Sequence, residues 1–253
     1  MRPCDTPNLG AGGRRVRPAD GAIWQIVRPA AEPARVLPLV KSDMPVRVVL
    51  ADDHVIVRQG LRLLLSAAGF EVVGEASDGH EVVRLARERE PDVAVLDVVM
   101  PLLNGLDAAR EIHQASPRTK TVLLTSRHDE QLLLEALRAG IRACVLKTYN
   151  GEELVRAIRE VMAGGVYLSS NMSRSLVEAY RARTALPVDP LSERERQVLQ
   201  LIAEGKRTRE IAELLGVSVK TAESHRTHIT KKLGISQTAG LVRYALQRGL
   251  SQL

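Results

Sequence analysis

Three carboxylates, a hydroxyl and an amine close short apolar runs that lie far apart in this chain. Val46-Arg-Val-Val-Leu-Ala51 stops at Asp52-Asp53, and Asp92-Val-Ala-Val-Leu closes on Asp97. Lys120-Thr-Val-Leu-Leu124 stops at Thr125, and Ala143-Cys-Val-Leu146 stops at Lys147. A carboxylate can attack phosphorus and hold it as an acyl phosphate. The attack needs the negative oxygens neutralised, and a hard divalent cation does this through one or two carboxylates, water and the phosphate itself. Asp52 and Asp53 are candidate ligands beside Asp97. Lys147 can pair with a phosphoryl oxygen, and Thr125 can donate a hydrogen bond to another. Taken singly, each has a blander reading as a helix cap, a turn former or a solvated side chain. The joint pattern, one strand end after another, is what points to phosphoryl chemistry.

These residues meet only if the runs are parallel strands of one sheet. Strands are expected near residues 46–51, 70–76, 92–97, 120–125 and 142–147. Helices alternate with them near 55–68, 79–89, 105–115, 129–139 and 151–163. That alternation reads as a parallel α/β sheet, in which ligands bind outside the carboxyl ends of the strands. Asp78 with Glu81, and Asn150 with Glu153, have the spacing of helix-opening capping boxes. Gly140 and Gly164 are placed to end helices.

From Leu191 the pattern is helical throughout. Ser192 with Glu195 has capping-box spacing, and Gly205, Gly216 and Gly234 punctuate four helices. Thr208-Arg-Glu-Ile-Ala-Glu-Leu-Leu-Gly216, then Val217-Ser218, then a helix to about Leu233, has the form of a helix-turn-helix. In its second helix Val219, Ala222, Ile229 and Leu233 share an apolar face. Lys220, Ser224, Thr227 and Lys231 share another, which suits phosphates and base edges or, more blandly, solvent.

The chain has 253 residues and a net charge of +6, unevenly spread. Residues 46–166 carry a net −3 and residues 188–253 a net +4, which suggests two domains with different partners. The basic end is the better nucleic-acid candidate. Cys4 and Cys144 form no disulfide or metal spacing, which fits a reducing cytosol. No apolar run reaches the length of a membrane span, so no membrane partner and a cytoplasmic location are expected. The Pro- and Gly-rich residues 1–45 read as a disordered tail. Met44 looks like a natural start, which makes the upstream stretch a tail or an over-extended reading frame. Residues 166–190 read as a linker with a helix near 170–183.

Residues 46–165 resemble the receiver domain of two-component response regulators. The resemblance rests on Ala51-Asp-Asp-His54, Leu96-Asp-Val-Val-Met-Pro101 with Asn104-Gly105, Leu124-Thr-Ser126 and Leu146-Lys147. It implies a doubly wound five-stranded sheet in the order 2-1-3-4-5, with Asp97 as phosphoacceptor. It implies Mg2+ held by Asp52, Asp53, Asp97 and the Val99 carbonyl, with Thr125 as switch hydroxyl and Lys147 on the phosphoryl group. Two positions depart from the family: Cys144 stands where an aromatic is common, and Thr148 where proline is. The first removes the ring of a coupled threonine–aromatic switch. An aspartyl-phosphate phosphatase of another α/β fold needs a second acid two residues after the nucleophile, where this chain has Val99.

Residues 191–253 resemble LuxR-type DNA-binding domains, through Leu191-Ser-Glu-Arg-Glu195, Leu201-Ile-Ala-Glu-Gly205, Glu210-Ile-Ala212, Val217-Ser-Val-Lys-Thr221 and Glu223-Ser-His-Arg226. Together the two resemble the NarL/FixJ class. The resemblance implies base contacts at Glu223, Ser224 and Thr227; Lys220, Thr221, Arg226 and Lys231 are candidates for phosphate contacts. It implies a transcription regulator, not an enzyme, that is phosphorylated by a sensor histidine kinase, binds DNA and forms a homodimer when phosphorylated or DNA-bound. Leu241, Val242, Ala245 and Leu246 on the last helix form either the dimer surface or packing within their own domain. The alternative is a phosphorylation-independent regulator whose receiver serves dimerisation or protein binding.

Overall fold

Alternate residues of each strand face opposite ways, and the apolar runs obey this. In the computed structural model Val48, Leu50, Val93, Val95, Val122, Leu124, Ala143 and Val145 enter one core layer. Their neighbours Val49, Ala51, Ala94, Leu96, Leu123 and Cys144 enter the other. A sheet apolar on both faces needs helices on both. The structure describes residues 44–126, 130–147, 151–169 and 189–251, all within one compact unit, Ser42–Leu253. The tail, the linker helix near 170–183, Thr148 and the Asn150 cap lie outside the described residues.

The strands are β1 (Arg47–Ala51), β2 (Glu71–Ala76), β3 (Val93–Asp97), β4 (Lys120–Thr125), β5 (Ala143–Leu146) and β6 (Tyr167–Leu168). Every pairing is parallel, in the order β2-β1-β3-β4-β5-β6. The expected 2-1-3-4-5 order is present, and the sheet is one strand wider than expected. After Gly164 and Gly165 the chain returns along β5: Tyr167 N donates to Arg142 O at 2.9 Å, and Leu146 N to Ser169 Oγ at 3.2 Å. Ser169 Oγ in turn donates to Glu153 at 3.1 Å. A two-residue strand carries no period of its own, so pattern reading passes over it.

Helices α1 (Val55–Ala67) and α5 (Gly151–Met162) cover one face of the sheet. Helices α2 (Gly79–Arg89), α3 (Gly105–Ala115) and α4 (Glu130–Arg138) cover the other. Asp78 caps α2 by accepting from Glu81 N, and Asn104 caps α3 by accepting from Asp107 N, each at 2.9 Å. Gly140 and Gly164 end their helices at φ of 80° and 89°, where side chains are disfavoured.

The second part holds α6 (Glu193–Ala203), α7 (Thr208–Leu214), α8 (Val219–Leu233) and α9 (Thr238–Gln247). Val198, Leu199, Leu201, Ile202, Ile211, Ala222, Ile229, Leu241 and Ala245 form its core. The Ser192–Glu195 capping box opens α6 as expected. Glu195 also accepts from Lys232 Nζ at 2.6 Å, tying α6 to the end of α8. Burial works against this carboxylate, but Lys232 and the Ser192 cap outweigh it and hold its pKa below the usual value.

Candidate functional site: an acidic strand-end pocket and an exposed helix

Parallel pairing brings the strand ends to one edge. Asp97 pairs in register with Leu124, one residue before Thr125, and Ala51 pairs with Leu96. Lys147 follows β5, with its N–H donating to Thr125 O at 2.7 Å. The result is a buried charge cluster. Lys147 Nζ lies 2.7 Å from Asp52 Oδ2 and 3.0 Å from Asp97 Oδ2. Asp52 is fully buried, and Asp97 and Thr125 nearly so. Arg58 fixes the Asp52 end, donating to its carbonyl at 2.6 Å while reaching Glu75 at 3.2 Å.

Burial pushes the Asp97 carboxyl up to about 6; Lys147 opposes this, and Asp52 and Asp53 add to it. Burial draws the Lys147 ammonium down, but Asp97 and Asp52 outweigh it and leave its pKa raised. One lysine therefore faces more negative charge than it can neutralise. The cluster fits a small divalent cation. Donor atoms of Asp52, Asp53, His54 and Asp97 lie within 4.8 Å of one another. Asp53 Oδ1 is buried and receives no hydrogen bond, although His54 Nδ1 is 2.8 Å away. A buried, hard carboxylate oxygen with no hydrogen bond suits a cation such as Mg2+. His54 did not stand out in the sequence as part of this group; its place directly after the Asp52-Asp53 pair was the only signal.

Behind Asp97 the chain turns sharply into α3. Gly105 N donates to Val98 O at 2.8 Å, and a Cβ at Gly105 would sit 1.9 Å from the Asp97 carbonyl oxygen. Only glycine allows the loop to close this tightly. Val99 lies in that loop, half-buried. Cys144 is buried on the α4 side of the sheet, beside the core formed with Leu123 and Ala136.

On α8, Ser218 caps the first turn, accepting from Thr221 N at 3.1 Å and sharing a 2.8 Å contact with the Thr221 hydroxyl. Lys220, Thr221, Glu223, Ser224, Thr227 and Lys231 are exposed along one side, and Arg226 is half-buried. Arg226 donates to Thr238 Oγ1 at 2.7 Å, and the Thr227 hydroxyl to the Glu223 carbonyl at 3.0 Å. The expected apolar face is narrower than the pattern suggested. Ala222 and Ile229 are buried and Leu233 packs against the core, but Val219 is 43% exposed. As the first residue of α8, Val219 projects beyond the packing helices, beside Lys220 on the open side. At α9, Leu241 and Ala245 pack within their own core, while Val242 and Leu246 are half-buried.

Comparison with known proteins fits this two-part geometry. The model of the response regulator receiver domain matches residues 48–159, and that of bacterial regulatory proteins of the luxR family matches residues 189–245. The oxygen regulatory protein NreC of Staphylococcus aureus is 41% identical over 213 residues, covering 81% of this chain and 98% of that protein. The chain belongs to the response regulators that join a receiver to a LuxR-type DNA-binding domain. Among solved structures, Salmonella typhimurium RcsB aligns at a TM-score of 0.59 with 28% identity, covering 80% of this chain and 98% of RcsB. A LuxR-family response regulator from Aurantimonas sp. SI85-9A1 aligns at 0.53 with 34% identity, covering 55% of this chain and 99% of the other. An RcsB–DNA complex aligns at 0.50 with 29% identity, covering 79% and 98%. The protein is thus a DNA-binding transcription regulator of the two-component type. Its family regulates transcription and implies DNA and a histidine kinase as partners. Among the described residues no helix is long and apolar enough to cross a membrane.

Proposed function

We propose that this regulator works in the cytoplasm, is phosphorylated on Asp97 by a sensor histidine kinase, and binds DNA as a homodimer through α8. The observation that carries the reading is the buried pairing of Asp97 with Lys147 at 3.0 Å beside Asp52 and Asp53. An Asp97 oxygen attacks the phosphorus of the kinase phosphohistidine. The P–O bond forms, the P–N bond breaks, and the imidazole nitrogen leaves and takes a proton. Lys147 pairs with a phosphoryl oxygen, and the Thr125 hydroxyl donates to another. Asp52, Asp53, Asp97 and the Val99 carbonyl would hold Mg2+, whose charge neutralises the transferring group. The acyl phosphate that results is the signal.

On α8, Glu223, Ser224 and Thr227 are assigned to base edges and Lys220, Thr221, Arg226 and Lys231 to phosphates. Their placement on one open helix side supports this, as does the RcsB–DNA complex among the relatives. We take residues 46–165 as the receiver and 191–253 as the DNA-reading part. The acceptor assignment is tested with acetyl phosphate and Mg2+. Intact-mass measurement should find one added phosphoryl group, lost in base, and none on Asp97→Asn. Labelling of Asp97→Asn to the same extent would place the acceptor elsewhere.

A further inference from the structure

The loop that leaves Asp97 is held on its outer side by the other domain. Its backbone polar groups at three alternate residues end on side chains of α6 and of Glu204, the residue that ends it. The Gln200 amide oxygen accepts from Asn104 N at 3.0 Å and from Asn104 Nδ2 at 3.1 Å. The Gln200 amide nitrogen donates to Met100 O at 2.8 Å and to Glu204 at 2.9 Å. Glu204 also accepts from Leu102 N at 3.0 Å. Nearby, Arg196 brackets the contact, 3.0 Å from both Asp107 and Asp189.

Gln200 is fully buried. A buried amide is costly unless its hydrogen-bonding capacity is used. Here the amide is fully used, and mostly on the loop beyond Asp97, not on its own helical bundle. Leu102, between the pinned groups, has φ of 66°, a conformation that side chains rarely adopt. Its side chain packs against the apolar core of the helical domain. A left-handed leucine persists only where its surroundings hold it there: Leu103 N closes the turn on Pro101 O at 2.7 Å, and Glu204 accepts from Leu102 N.

We infer that Gln200, seconded by Glu204, is a positioning residue for the phosphorylation site. It clamps the 98–104 loop in the form proper to unphosphorylated Asp97. Loading Asp97 and freeing α6 are then one coupled equilibrium, running through the segment joined directly to the acceptor. This route does not depend on a ring at Cys144. It rests on Asp97 being the acceptor.

Linkage makes the coupling reciprocal. If α6 opposes the loaded form, removing the clamp must tighten binding of a phosphoryl analogue. The test is a beryllofluoride titration of the full chain with Mg2+, followed by fluorine NMR, for wild type, Gln200→Ala and Glu204→Ala. Glu204 is only half-buried, so its variant keeps the test alive should Gln200→Ala not fold. Each folded variant should bind beryllofluoride about 5-fold or more tightly than wild type. A purely structural role would lower thermal stability and leave that affinity unchanged, which would overturn the inference. Binding to wild type that equals binding to Asp97→Asn would overturn the acceptor assignment itself, and the clamp with it.

Discussion

Asp97 and Cys144 show how burial can serve opposite ends. At Asp97 burial is offset by Lys147 at 3.0 Å, and the carboxyl stays poised at about 6. At Cys144 nothing offsets it, and burial pushes the thiol up to about 12. A thiol is reactive only as thiolate, so burial of Cys144 in β5 favours an inert strand residue over a redox role. Iodoacetamide at pH 7 to 9 should leave the Cys144 peptide unmodified in the folded protein, because the thiol remains protonated throughout that window. Denaturant should expose it to rapid labelling. Fast modification of that peptide without denaturant would mean that the strand opens or that the thiolate is stabilised. The carboxylates and Lys147 were legible in the sequence because each closes an apolar run, and parallel pairing leaves such positions only one edge to share. Gln200 was not legible. Its spacing within α6 marks a buried helix face, but spacing alone does not say that the neighbour is the loop beyond Asp97 and not another apolar helix.

Among the elements, α8 is the one whose role follows most directly from its exposure. Its charged and hydroxyl side stands open, whereas Lys232 is committed to Glu195 at 2.6 Å. Lys220→Ala and Arg226→Ala should weaken binding to all DNA sequences and flatten the salt dependence by about one unit of slope each. Thr227→Ala should instead relax preference at one base position, by about 1–3 kcal/mol for a good base contact. Titrations at several salt concentrations separate the two behaviours; an unchanged slope in both charge variants would move the DNA off α8. The helix-turn-helix was plain from Gly216, Ser218 and the flanking periods. The exposure of Val219 was not, since a helix's first residue keeps the apolar period while lying past the helices that would cover it. Strand β6 escaped for a related reason, having two residues and no period to read.

At the scale of the whole molecule, the contact between the two parts does not cover the DNA-reading side of α8. It covers the loop after Asp97 and the end of α9, where Arg248 contacts Gln131 of α4 through a side-chain hydrogen bond. In this arrangement the DNA-reading side of α8 stays exposed, and what the contact restrains is α6 and the end of α9. Phosphorylation of Asp97 is expected to release that restraint. The most direct measurement is binding of the full chain to a DNA fragment selected from a random-sequence library, with and without beryllofluoride plus Mg2+. Wild type should bind more tightly and as a dimer with beryllofluoride, and Asp97→Asn should show no change. Equal affinity and equal stoichiometry for wild type in both conditions, with beryllofluoride shown to be bound, would contradict it.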